Sequence, residues 1–132
     1  MKESKETDIQ KLNGIIKYLT NIKKCFEQNN ITNSNHLKND EIAQAACTQF
    51  ITNIYESKNK LRDETYNKLI ELNKIKLAGA RHVASHDYDS VNFIVIYSIC
   101  QSLIKEEIID ELKNIISEIE KEEGEKEDET DN

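Results

Sequence analysis

Proline is absent from this 132-residue chain, and glycine occurs only three times, at positions 14, 79 and 124. Sheet-rich folds need turn residues more often than this, because glycine and proline supply the backbone conformations of tight turns. Long stretches of Lys, Glu, Leu and Gln are typical of helices. The sequence therefore predicts an all-α protein, and its length is that of a single domain.

Apolar residues recur at steps of three and four, which is the spacing of a helix face. Helices are predicted over about 7–28, 41–61 and 64–86, with an Asn-rich loop at 29–40. A fourth helix begins near residue 91 and is apolar over more than one face, which suits a bundle centre or a subunit interface. A last amphipathic helix follows. The residues expected to face inward in the second helix are Ile42, Ala46, Phe50, Ile54 and Leu61.

Charge is distributed unevenly along the chain. The net charge is −7, and residues 118–132 alone carry nine acids and two lysines, so the other 117 residues are neutral overall. We expect a helical domain at 1–117 followed by an acidic, disordered tail at 118–132. Within 58–81, seven basic and three acidic residues give a local charge of +4. This basic run suits either a solvated helix face or a polyanion held near Arg81.

Three cysteines lie far apart in the sequence, at positions 25, 47 and 100. No pair has the spacing of a metal knuckle or a redox CxxC motif, so reduced, semi-buried thiols are expected. Reduced thiols indicate a reducing compartment. The N-terminus lacks the apolar core of a signal peptide, and no apolar run approaches the ~20 residues of a membrane span. The expected location is the cytoplasm, with no membrane partner.

The octet RHVASHDY, residues 81–88, holds two of the three histidines and one of the two arginines in the chain. An arginine in such a lysine-rich sequence suggests that its planar, permanently charged fork is required. On a regular helix, residues five apart are separated by about 140°. Arg81 and His86 therefore share a site only if the helix ends or bends near Ser85, or if two subunits each supply one of them.

Three interpretations of the octet remain open. His82 and His86 have the i, i+4 spacing of metal ligands, with Asp87 and Asp89 nearby. Alternatively, both histidines are structural and cap or pair at a helix end. The third interpretation is acid–base cleavage of RNA, in which a histidine moves protons and Arg81 stabilises the charge that grows on the phosphate.

The octet and its flanks resemble HEPN domains, and specifically the HepT-like branch with its R-x(4)-H-x-Y motif at 81–88. LAGARHVASHDY at 77–88 is similar to that branch's IAG-x-RN-x(3)-HDY. IYESKNKL at 54–61 is similar to its IGEAAKKL, and VNFIVIYSI at 91–99 to its ID-x-x-x-VW-x-I. The resemblance covers roughly 42–103 in matching order. It departs from the family where a histidine replaces the usual asparagine after the motif arginine.

The resemblance implies an antiparallel four- or five-helix bundle that forms a homodimer, with both motifs facing one cleft. It implies a metal-independent endoribonuclease toxin without a cofactor, acting on an RNA substrate. Arg81 would stabilise the phosphate, His86 would be the general acid/base, and His82 would orient or assist. The implied partner is a minimal nucleotidyltransferase antitoxin that neutralises the toxin by attaching AMP to Tyr88. The alternative is a non-catalytic HEPN dimer that binds nucleotide or docks such a nucleotidyltransferase.

Overall fold

The computed structural model describes the backbone of residues 5–78 and 93–130, which is mostly helical and contains no β-strand within these ranges. The predicted all-α class is therefore confirmed. Seven helices lie in the described ranges: α1 (Lys5–Gln28), α2 (Ser34–Lys38), α3 (Glu41–Asn59), α4 (Asp63–Tyr66), α5 (Ile70–Asn73), α6 (Phe93–Leu103) and α7 (Glu106–Thr130).

Helices α1 and α3 pack along each other in opposite directions. Asp8, near the start of α1, bonds Arg62, just beyond the end of α3. Near the middle of both helices, the rings of Tyr18 and Phe50 stack with centroids 6.3 Å apart. Residue numbers therefore increase along α1 in the direction in which they decrease along α3. The pair is antiparallel, and α7 and α6 pack against α1 and α3 respectively.

The predicted loop at 29–40 has a more regular structure than expected. Helix α1 ends with Asn30 in the left-handed region, at a φ of 54°, and the Ile31 N–H donates to the Phe26 carbonyl at 2.9 Å. This is the Schellman arrangement, and asparagine tolerates it better than most residues. The Asn33 side chain then caps the short helix α2. Asp40 caps α3 by accepting the Ala43 N–H at 3.0 Å.

The apolar core joins residues of α1, α3, α6 and α7. The predicted inward face of the second helix is confirmed at Ile54 and at Leu61, just beyond the end of α3, but not at the start of the helix. Ile42 was expected to face inward and is 84% exposed. The buried row of α3 begins one position later, at Ala43 and Cys47. These small side chains suit the surface against which α1 packs, because they leave room for a neighbouring helix. Phe50 lies at the edge of that surface. The largest fully buried side chains elsewhere are Leu12, Ile15, Leu19, Ile22, Leu37, Leu69, Leu72, Leu77, Ile96 and Leu103.

The third predicted helix, 64–86, is not continuous in its described part. It is divided into α4 and α5, because Leu69 has a ψ of 66°, outside the helical range. The side chain of Leu69, at the break, and that of Leu72, in the helix that follows, are both fully buried. Packing against the core and hydrogen bonds from distant residues therefore override a local pattern that favours one helix.

Helix α7 continues to Thr130, through most of the segment predicted to be a disordered tail. Glu and Lys dominate this segment, and both have high helix propensity. The backbone of 118–130 is thus helical rather than irregular. The proposed division between a domain at 1–117 and a separate tail stays a prediction.

A fully buried carboxylate connects the start of α1 to the turn after α3. Asp8 accepts hydrogen bonds from the Arg62 backbone N–H at 3.2 Å, from the Arg62 Nε–H at 2.8 Å and from the Thr65 hydroxyl. A buried carboxylate is stable only when its oxygens have such partners. One of the two arginines in the sequence thus has a structural role at this point.

We predict that Asp8→Asn lowers the free energy of unfolding by about 2–4 kcal/mol, because the amide loses the ion pair and turns an N–H₂ group toward donors. Urea denaturation of both proteins measures the difference. Asp110→Asn is the matched control, since Asp110 is exposed on α7 and its loss should change stability by less than about 0.5 kcal/mol. Equal effects of the two substitutions would contradict the structural role of Asp8.

Candidate functional site

The four candidate site residues Arg81, His82, His86 and Tyr88 lie between 79 and 92, outside the described residues. Asp87 and Asp89 of the metal interpretation lie there too. The structure therefore neither brings these side chains together nor separates them. It does describe the two chain segments that enter and leave the octet, up to residue 78 and from residue 93 onward.

A groove of about 360 Å³ lies between these two segments. One wall is the end of α5 with the turn after it, and the other is the face of α6 that carries Ser98 and Ser102, continuing into the start of α7. Ile75, Ile99 and Ile108 supply apolar surface to the lining. Among the described residues, the charged side chains that line it are Glu71, Lys74, Lys76, Lys105 and Glu107.

The α5 wall of the groove is fixed from α7. Both oxygens of the Glu111 carboxylate accept backbone N–H groups at the start of α5, from Glu71 at 2.9 Å and from Leu72 at 3.1 Å. These N–H groups have no partner inside so short a helix, and a carboxylate there also complements the helix dipole. Leu69, at the N-cap position, makes no side-chain capping bond. A residue about forty positions away in sequence thus supplies the cap.

The basic run 58–81 is divided among different environments rather than forming one cationic face. The Lys58 Nζ lies 5.4 Å from the centroid of the Tyr66 ring, and burial lowers the pKa of this lysine. Arg62 pairs with Asp8. Lys68 lies 3.3 Å from Glu118.

The lysines at the groove differ in how far their charge is neutralised. Lys74 pairs with Glu71 at 3.1 Å. Lys76 and Lys105 are exposed, and no acidic oxygen of the described residues lies within 4.0 Å of either amine. Lys105 was not predicted from the sequence to belong to a site. The one sequence feature that marks it is its position between the two C-terminal amphipathic helices.

A second groove, of about 510 Å³, lies on the side of the protein where α1 meets α6. Phe26 and Tyr97 line it and stack on each other, with centroids 5.5 Å apart and planes inclined by 15°. The Tyr97 hydroxyl accepts a hydrogen bond from Gln101 at 2.8 Å. Lys23 and Glu27 carry opposite charges at its edge. The lining is thus mainly apolar and aromatic, without an excess of either charge.

The three cysteines come together although they are far apart in sequence. All are free thiols; Cys47 and Cys100 are buried, and Cys25 is partly exposed. Burial, together with the neighbouring Cys47, raises the pKa of Cys25 to about 11. Hydrogen bonding to Cys100, followed by burial, raises the pKa of Cys47 strongly. The thiols of Cys25 and Cys47 are therefore protonated at neutral pH and are not activated nucleophiles, which agrees with the predicted structural role.

Within the described residues, no group of three or more His, Cys, Asp or Glu side chains is arranged to hold a metal ion. His36 instead accepts the Thr32 N–H at its Nδ1 atom, at 3.1 Å. None of the helices described is both long enough and apolar enough to cross a bilayer.

Comparisons with protein-family models, with curated proteins and with solved structures found no match to this chain.

We predict that alkylation of Cys25 by iodoacetamide is about a hundredfold slower at pH 8 in the native protein than in urea, since a pKa of about 11 replaces the usual 9.0. The native rate should keep rising with pH toward 11, because thiolate forms only as pH approaches the raised pKa. Peptide mass mapping measures the labelling, and far-UV circular dichroism checks that the fold persists. A native rate that levels off near pH 9 would contradict the desolvated environment of Cys25.

Proposed function

We propose that this protein is a metal-independent endoribonuclease of the HEPN class, similar to the HepT-like toxins of toxin–antitoxin pairs. The observation that carries the proposal is the motif R-x(4)-H-x-Y at 81–88 with matching flanks at 54–61 and 91–99, in the family's order. A bare arginine and histidine at this spacing occur often by chance. The ordered flanks make the pattern specific.

The packing of the described helices supports the proposal. The flank 54–61 begins within the last turns of α3, and most of the flank 91–99 lies in α6. These helices pack against each other, and Ile54 and Ile96 are both fully buried in the shared core. Such a common core is what an antiparallel four- or five-helix HEPN bundle requires of the segments before and after the motif.

The proposed reaction uses the ribose of the RNA as the nucleophile. The 2′-oxygen forms a bond to phosphorus while the bond from phosphorus to the 5′-oxygen breaks, so the products are a 2′,3′-cyclic phosphate and a 5′-hydroxyl. The 2′-hydroxyl proton passes to the imidazole of His86, and a histidine imidazolium returns a proton to the leaving 5′-oxygen, since the pKa of histidine lies near neutral pH. Arg81 stabilises the charge that grows on the phosphate oxygens. His82 orients or assists, and no step requires a metal or a cofactor.

A homodimer is part of the proposal. A few residues after the octet, Ile94 and Val95 on α6 are 69% and 38% exposed. Exposed apolar side chains at adjacent positions are a feature of subunit interfaces. A two-fold axis near α6 would bring two octets together. Arg81 of one subunit could then share a site with the histidine of the other, although the two residues point in different directions on one regular helix.

The proposed partner is a minimal nucleotidyltransferase that attaches AMP to Tyr88. The adduct adds bulk and negative charge two residues from His86, where it would repel the phosphates of RNA. A second candidate function uses the same tyrosine without cleavage: a HEPN dimer that binds nucleotide or docks the nucleotidyltransferase. The neutral charge of residues 1–117 favours this candidate, since many RNA-binding domains are basic.

We predict that His86→Ala and Arg81→Ala each reduce RNA cleavage by a factor of about 10² or more, and that each relieves growth arrest in cells that express the protein. Cleavage of a single-stranded RNA by purified protein, followed on denaturing gels, measures the effect. Arg81→Lys should retain part of the activity, because it keeps the charge and loses the planar fork.

His36→Ala is the matched control for His86→Ala. This histidine lies at α2, where it accepts the Thr32 N–H, and its removal should leave cleavage within about twofold of the wild type. Wild-type protein that is free of AMP and of contaminating nuclease, and that cuts no RNA, would overturn the enzymatic proposal.

We predict that co-expression with a minimal nucleotidyltransferase increases the mass of the protein by about 329 Da, the mass of AMP minus water, or by a multiple of it. Intact-protein mass spectrometry measures the shift, and Tyr88→Phe should abolish it. The control is Tyr97→Phe, which leaves the motif tyrosine in place. A tight complex without any mass change would instead favour the docking function.

A further inference from the structure

We propose that the groove between 71–76 and 98–108 binds the sugar–phosphate backbone of the RNA strand beside the scissile bond, with Lys76 and Lys105 as its phosphate ligands. This inference rests on the proposed function, because it takes the substrate to be single-stranded RNA. It assigns binding to residues outside the octet. Neither lysine belongs to the R-x(4)-H-x-Y motif.

Charge is the first argument for this groove. Three lysines line it, and they come from two separate parts of the chain, the turn after α5 and the turn between α6 and α7. The Lys74 charge is partly neutralised by Glu71. The exposed amines of Lys76 and Lys105 have no acidic partner within 4.0 Å among the described residues, so both remain available to an anion.

Chemistry and size are the second argument. The groove has a volume of about 360 Å³ and combines its lysines with the serines of α6 and with isoleucine side chains. A nucleotide offers the matching groups, since its phosphate is an anion, its ribose carries hydroxyls and its base has an apolar face. A purely apolar or purely acidic ligand would leave half of this lining without a complementary group.

The position of the groove is the third argument. Lys76 precedes Arg81 by five residues, and an extended chain spans at most about 3.6 Å per residue. The two Cα atoms therefore lie within about 18 Å of each other. That distance corresponds to a few nucleotides of single-stranded RNA, so one strand can contact both the groove and the proposed catalytic arginine.

The wall that carries Lys76 is held in place by packing and by a cap. Glu111 accepts two N–H groups in the first turn of α5, and Leu72 and Leu77 are buried on either side of the lysines. Held in this way, the Lys76 backbone has little freedom to lose on binding RNA, and only its side chain must be ordered. Such a site suits weak, sequence-independent contacts to a backbone.

The test is the salt dependence of binding to a 2′-O-methyl RNA strand, which lacks the nucleophile and is not cleaved. Fluorescence anisotropy measures Kd between about 50 and 300 mM salt. Each phosphate contact to a single strand contributes about −0.7 to the slope of log K, where K is the association constant, against log salt. The Lys76→Gln/Lys105→Gln double variant should make this slope less negative by about 1.4 and weaken binding at 0.15 M salt about tenfold.

The matched control is Lys17→Gln/Lys24→Gln, which removes the same charge from exposed positions of α1 that do not line the groove. Its slope should equal that of the wild type. A second variant acts in the opposite direction: Glu107→Gln removes an anion from the groove and should tighten binding a fewfold. Circular dichroism confirms that each variant is folded.

The outcomes separate the groove from the proposed reaction. If the two double variants lose RNA affinity equally, or if neither loses any, the groove is not the binding site, even if the wild type cleaves RNA. Wild-type protein that binds the 2′-O-methyl strand through these lysines, and fails to cleave ordinary RNA, would support the groove and overturn the nuclease. Wild-type protein that does neither would overturn both.

Discussion

The buried carboxylate of Asp8 is the interaction on which the described helices most depend. It joins the first turns of α1 to the segment that follows α3 through three hydrogen bonds, two from Arg62 and one from Thr65. Because α1 and α3 are antiparallel, this network determines where the chain leaves α3 and enters α4. The position of α4 in turn sets where the chain continues into α5 and the lysine-lined groove.

A second carboxylate, closer to the groove, also accepts hydrogen bonds from residues far away in sequence. Glu111 reaches from α7 to the unpaired N–H groups at the start of α5, which is too short to be stable as an isolated helix. Together, Asp8 and Glu111 replace regular helical hydrogen bonds with long-range ones. The region between 60 and 78 is thus shaped by acidic residues that lie far away in sequence.

These contacts also explain which parts of the fold could be predicted. The bounds of α1 and α3 were predicted to within two residues, because their apolar periodicity is local and strong. The continuation of α7 to Thr130 was not predicted, because the acidic composition of its last turns favoured a disordered tail. The break at Leu69 was not predicted, since it depends on acceptors about 40 to 57 residues away. The inward face of α3 was predicted correctly at Ile54 and one position off at the start of the helix, because Ile42 fits an apolar row nearly as well as Ala43 does.

The candidate site also has a part that the sequence revealed and a part that it did not. The octet was visible in the sequence as a concentration of rare residues, and the roles of Arg81 and His86 rest on resemblance. The groove could not be predicted, because Lys105 joins Lys76 only through the packing of α6 and α7 against the α5 region. The basic run at 58–81 suited either a solvated helix face or a bound polyanion, whereas ion pairs and burial leave only part of its charge at the groove.

The most direct measurement of the central claim is the chemistry of the RNA ends. Single-stranded RNA is incubated with wild-type protein in the presence of a metal chelator, and the fragments are analysed by mass spectrometry. The proposed use of the ribose 2′-hydroxyl predicts 2′,3′-cyclic phosphate and 5′-hydroxyl ends, formed at the same rate with or without chelator. Fragments with 3′-hydroxyl and 5′-phosphate ends, or cleavage that stops in chelator, would contradict it.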